Sequence, residues 1–201
     1  MKSPLLPALC CLLLAATLCG QDRLPTEETV RYAKLCTDQI GVLNDAPIRL
    51  EVAADNACAV RGEGGGAMAI PDARLTADTI AKPGKDVVPV AQVWLRKWTL
   101  VVDGKGLPRD KLRVVTVNID DKARPMPLLL VGLQQKGDAV ELVAYGQGNE
   151  PLLRVPAQKV EFVAQSPVEL DWARGENNVD KLTVSIEGRY QAVLPITRES
   201  N

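Results

Sequence analysis

From Ile48 onward the apolar residues of this chain recur mainly at every second position or in short unbroken runs. Ile48, Leu50 and Val52 alternate with Arg49, Glu51 and Ala53, the mark of a strand with one face buried. Cys58 to Val60 and Ala67 to Ile70 are shorter extended segments separated by a glycine run. Val87 to Leu95 and Trp98 to Val102 are Val-, Thr- and Trp-rich, with a bend expected at Arg96-Lys97. Asp103-Gly104 supplies a turn, and Leu112 to Ile119 is the most regular strand pattern in the chain. Leu128 to Leu133 is apolar at every side-chain-bearing position, which predicts a central strand covered on both faces. Ala139 to Tyr145, Leu152 to Val155, Val160 to Ala164 and Val168 to Trp172 follow. The last pair, Leu182 to Ile186 and Tyr190 to Ile196, is joined by Glu187-Gly188 as a terminal hairpin.

One segment has a different period. Within residues 21–46, Val30, Ala33, Thr37, Ile40 and Asn44 lie near one helical stripe. Glu27 and Glu28 suit the positive end of its dipole, and Pro47 lies just beyond it. Thr76 to Ala81 reads as one short helical turn. About ten strands with turns between them and no helix–strand alternation predict a mainly β domain over 47–201. Its architecture is a β-sandwich or a Greek-key, barrel-like fold carrying one N-terminal helix. A break near Lys122-Ala123-Arg124 into two small sheets is the alternative organisation.

Residues 1–20 read as a signal peptide: Lys2 precedes an apolar run, Leu5 to Leu18, too short to span a bilayer. The protein is therefore expected to be exported, periplasmic or extracellular, with no membrane span. A lipid anchor at Cys19 is the alternative, weakened by the bulk of Leu18 ahead of it. Cys10, Cys11 and Cys19 lie in the leader or at its edge. Cys36 and Cys58 thus remain as the candidate disulfide, worth about 3 kcal/mol in chain-entropy terms.

Composition then removes whole chemistries. The 201 residues include no His, which excludes Ser-His-Asp triads, Cys-His dyads and imidazole metal sites. Lys and Arg number 24 against 25 Asp and Glu, so no concentrated basic excess points to nucleic acid. Gly62-Glu63-Gly64-Gly65-Gly66-Ala67 matches a dinucleotide fingerprint on paper. Pro71 and the extended Met68-Ala69-Ile70 leave no room for the helix that must follow, and the run reads as a flexible loop. Asp171 to Asp180 is rich in oxygen ligands but matches no EF-hand, and reads as a solvated connection between strands, with weak calcium binding as the rival.

Trp94, Arg96 and Trp98 remain as the candidate binding residues. On an uninterrupted strand the two indoles share a face with Arg96 between them, and exposed they would form a docking strip; buried, they would cap the core. No cofactor and no catalytic residue is implied. The leading expectation is a non-enzymatic binding module at the cell envelope, its ligand a protein or a polysaccharide. A carboxylate-dependent hydrolase, which needs no His, and a purely structural envelope component are the alternatives.

Together with the leader, Gln92-Val93-Trp94-Leu95-Arg96-Lys97, Val101-Val102-Asp103-Gly104-Lys105 and Glu150-Pro151-Leu152-Leu153 resemble the general layout of short exported bacterial β-rich proteins. That resemblance implies export and a β-rich fold, and carries over no catalytic residue or ligand.

Overall fold

Among the described residues, thirteen strands form one antiparallel sheet that curls until its ends nearly meet. The computed structural model describes residues 22–199 apart from 25, 42 and 44. The expected leader, the Cys19 anchor and Asn44 of the helical stripe lie outside the described residues. The strands are β1 (Asp22–Arg23), β2 (Cys58–Gly62), β3 (Gly65–Pro71), β4 (Val88–Arg96), β5 (Trp98–Val102), β6 (Lys105–Gly106) and β7 (Arg113–Ile119). They continue as β8 (Lys122–Lys136), β9 (Ala139–Tyr145), β10 (Pro151–Lys159), β11 (Val168–Ala173), β12 (Asp180–Ile186) and β13 (Tyr190–Arg198). The lateral order is β1-β2-β3-β4-β8-β9-β10-β13-β12-β11, with β7 on β8, β5 on β13 and β6 on β5. Because β11 packs back beside β2 and β3, the fold is mainly β and barrel-like. An ion pair from Arg23 to Asp171 at 3.4 Å crosses the seam.

Period-two alternation sorts the side chains into two cores. Val60, Ala67, Ala69, Val93, Leu95 and Leu129 point into the barrel, where they meet Leu142, Leu170, Val184 and Leu194. Their strand neighbours Ala59, Met68, Ile70, Trp94, Leu128 and Leu130 point outward into a second cluster. Each fully buried Leu or Ile contributes about 1.5–3 kcal/mol of transfer free energy, so both faces of β3, β4 and β8 stabilise the fold. The unbroken run at Leu128 to Leu133 is the central strand expected of it. Lys122-Ala123-Arg124 opens β8 directly after the turn from β7, and these residues pair with β7 in the same sheet. Pro125 and Pro127 are tolerated because this half of β8 pairs only with β7.

The outer cluster is covered by α1 (Thr26–Ile40), the single α-helix among the described residues. Its buried side chains are Thr29, Ala33 and Cys36, a stripe turned from the expected one, in which Val30 and Thr37 are only half-buried. The helix is shorter than the 21–46 segment. Asp22–Arg23 pairs with β2, and Gly41 takes φ +60°, the left-handed conformation that stops a helix. A helix of 15 residues is marginal in isolation, so its docking is what stabilises it.

Three further expectations fail. Ile48 to Ala53 keeps its alternation but pairs only through a single bridge, Val52 to Asp72, and is otherwise an extended loop. Val160 to Ala164 is irregular: Val160 and Phe162 donate their N–H groups to Arg189 and Gly188 at the turn of the final hairpin. Thr76 to Ala81 forms turns rather than helix.

Candidate functional site

The bend at Arg96-Lys97 decides where the indoles go. Lys97 has φ +59°, a conformation uncommon for a side-chain-bearing residue, and it breaks the alternation between β4 and β5. Trp94 therefore belongs to the outer cluster and Trp98 to the barrel interior, both with no solvent exposure. The exposed strip of Trp94, Arg96 and Trp98 is not formed, and the core-capping alternative is what the structure adopts. Trp94 donates Nε1–H to the buried Gln92 Oε1 at 3.2 Å. Trp98 stacks on Trp172 with ring centroids 6.1 Å apart and planes 13° from parallel.

Trp94 nevertheless belongs to a cavity of about 380 Å³ between α1 and the outer face of the sheet. Ala59, Met68 and Trp94 form its floor; Thr29, Tyr32 and Cys36 of α1 line one side. Ile119, Pro125 and Met126, from the hairpin of β7 and β8, line the other. That hairpin turns at Asp120-Asp121, both with positive φ, in the manner of a tight two-residue connection. The volume is within the range of small-molecule sites. Its lining is mainly apolar. Among its uncharged polar groups, Thr29 is 1% exposed and its Oγ1 has no hydrogen-bond partner among the described residues.

Cations dominate the charged part of the lining. Arg61, Arg96, Lys97, Arg109 and Arg124 stand against Asp120 and Glu199. Arg61 is engaged by Glu28 at 3.3 Å, and Arg109 holds Glu199 through two hydrogen bonds of 3.1 and 2.6 Å. The hydrogen bonds to Glu199 raise the Arg109 pKa further. Arg96, Lys97 and Arg124 form no ion pair among the described residues, and the Nε of Arg124 is buried without a partner.

The other sequence candidates resolve differently. Cys36 and Cys58 are both free thiols, so the expected disulfide is absent. The reason is the pleat: Cys58 packs with the barrel interior, while Cys36 packs in the outer cluster. Burial pushes each thiol up to about 12, which leaves both protonated and poor nucleophiles at neutral pH. The glycine run is not a flexible loop; it is the hairpin of β2 and β3, turning at Glu63-Gly64. Gly62 and Gly65 are glycines because Trp172 and Trp98 lie where their Cβ atoms would be. Glu63 is gripped by Arg198 at 2.8 Å and Arg174 at 2.5 Å, and the Arg198 hydrogen bond leads in holding its carboxyl below the ordinary range. Of the Asp171–Asp180 stretch, Asp171–Ala173 end β11, Asp180 opens β12 and residues 174–179 connect them; the Asp180 carboxylate accepts the Gly175 N–H at 3.2 Å. No group of three or more His, Cys, Asp or Glu side chains is placed to hold a metal among the described residues.

Sequence reasoning reached Trp94 and Arg96 of this cavity and missed Thr29, Met68, Lys97, Arg124 and Met126. These come from α1, β3, the bend and β8, and no linear motif joins them. Comparison with family models, with curated proteins and with solved structures yields no match. No helix among the described residues is long and apolar enough to cross a membrane.

Proposed function

We propose that this protein is an exported, non-enzymatic binding module whose ligand site is the cavity between α1 and the outer face of the barrel. One observation carries the reading: a mainly apolar space of about 380 Å³ inside the outer core, roofed by a helix that packing rather than intrinsic propensity holds in place. Such a space suits a small ligand with an apolar body better than a polysaccharide, which would need exposed rings to stack on. The apolar run Leu5 to Leu18 behind Lys2, which reads as a leader, supports export. Hydrolysis by a carboxylate pair finds less support, because Glu199, one of the two acids lining the cavity, is clamped by Arg109.

The test is a fluorescence titration of the purified protein with Nile red, a neutral apolar dye. Saturable one-site binding is expected, with at least tenfold weakening in Met126→Trp, which fills the cavity from a half-buried position. A matching thermal midpoint for that variant establishes that it folds. Non-saturable uptake, or identical binding by the folded variant, overturns the reading.

A further inference from the structure

We infer that the ligand of this cavity is a single-chain amphiphile with an anionic headgroup, its chain on the Met68–Trp94 floor and its head at Arg96, Lys97 and Arg124. The inference rests on the proposed binding site and adds the chemistry of what occupies it. Three independent features of the cavity lead there.

The first is polarity. The floor is closed to solvent, with Trp94 at 0%, Ala59 at 7% and Met68 at 8% exposure, whereas Arg96 and Lys97 are exposed. A ligand that fits both ends is apolar at one and charged at the other.

The second is unbalanced charge. The whole chain carries a net charge of −1, yet five of the seven charged residues lining this cavity are cationic. Arg61 and Arg109 are spoken for by Glu28 and Glu199. Arg96, Lys97 and Arg124 have no acid partner among the described residues, and Arg124 Nε is a buried donor left without an acceptor. Buried donors are nearly always satisfied in folded proteins, and a carboxylate, sulfate or phosphate oxygen supplies what this one lacks. The buried Thr29 hydroxyl is a second unpartnered group at the same cavity, suited to the same oxygens.

The third is size. A cavity of about 380 Å³ has room for one medium alkyl chain. That space lies between α1 and the sheet rather than on an open face, which favours a free monomeric amphiphile over a bilayer surface.

Calorimetric titration with decanoate, 1-decanol and decyltrimethylammonium, each below its aggregation threshold, tests this. Decanoate is expected to bind at least tenfold more tightly than 1-decanol, and the margin should shrink as sodium chloride is raised. Arg124→Gln and Arg96→Gln should each remove most of that margin, read as the ratio of decanoate to 1-decanol affinity in the same variant. Arg96→Glu should narrow or reverse the preference between decanoate and the ammonium. Equal affinity for the three amphiphiles, or an anion preference insensitive to all three substitutions, overturns the headgroup assignment. Binding of Nile red in that case leaves the proposed function standing; failure of Nile red removes both. Co-sedimentation with anionic phospholipid vesicles in the absence of decanoate binding also overturns it, in favour of a membrane surface.

Discussion

Gln39, near the C-terminal end of α1, satisfies both polar groups of the Asn118 backbone on β7. Its Nε2 donates to the Asn118 carbonyl at 3.1 Å, and its Oε1 accepts the Asn118 N–H at 2.7 Å. The pair does two jobs. It occupies part of an edge strand that β8 pairs on one side only, and it ties the helix that roofs the cavity to the hairpin that walls it.

Gln39→Ala should therefore cost about 1–2 kcal/mol, the net worth of two hydrogen bonds at a partly exposed site. Native-state hydrogen exchange is the discriminating measurement. Amides of α1 and Asn118 should exchange faster, while those of β12 and β13 keep their protection. Uniform acceleration across the barrel would show instead that α1 and the sheet open as one unit.

The stacked indoles of Trp98 and Trp172 depend on two glycines in the neighbouring hairpin. A Cβ at Gly62 would overlap the Trp172 ring, and one at Gly65 the Trp98 ring. Gly62→Ala and Gly65→Ala should each lower stability by about 1–3 kcal/mol through overpacking. Gly148→Ala, where a Cβ meets nothing closer than 4.0 Å and φ is not positive, should stay within about 0.5 kcal/mol of wild type. Urea midpoints of the three variants decide it. Near-neutral behaviour of both hairpin variants would mean that the indoles can move aside without loss.

How much of this was legible in the residues depends on whether the information is local. β8 and β9 were readable because burial on one or both faces writes itself directly into a period of two. Ile48 to Ala53 carries the same alternation, since Ile48, Leu50 and Val52 join the outer cluster. It lacks a neighbouring strand along most of its length, and alternation reports burial rather than pairing. The helix stops at Gly41, ahead of the proline that signals the stop in the residues. The opposite placement of Trp94 and Trp98 was not legible. A bend at Arg96-Lys97 was readable, but the placement depends on a positive φ at Lys97, a residue type that seldom adopts one. The cavity was hidden for another reason: its floor, sides and cations come from separate elements, and only the folded sheet brings them together.

Asp72 sets an acid limit on stability. Its carboxylate is 3% exposed and accepts the backbone N–H groups of Glu51 and Arg74, both at 2.9 Å. It also accepts Nε and Nη2 of Arg74 at 3.0 and 2.9 Å, and so fixes the loop before β4 to the extended Ile48–Ala53 segment. Burial alone would raise this carboxyl's pKa. The Arg74 guanidinium and the two N–H groups outweigh burial and hold it below the ordinary aspartate range. A folded-state pKa below the unfolded value means stability that is present above about pH 4 and lost as pH falls through the folded value. Asp72→Asn should cost about 1–3 kcal/mol at pH 7, where the charged hydrogen bonds are intact. The same substitution should cost progressively less as the acid limb is descended, because protonation then removes the charge in the wild type as well. Urea denaturation of both proteins at pH 7, 4 and 3 measures the gap. A gap that stays constant across that range would show that the Asp72 charge does not stabilise the fold.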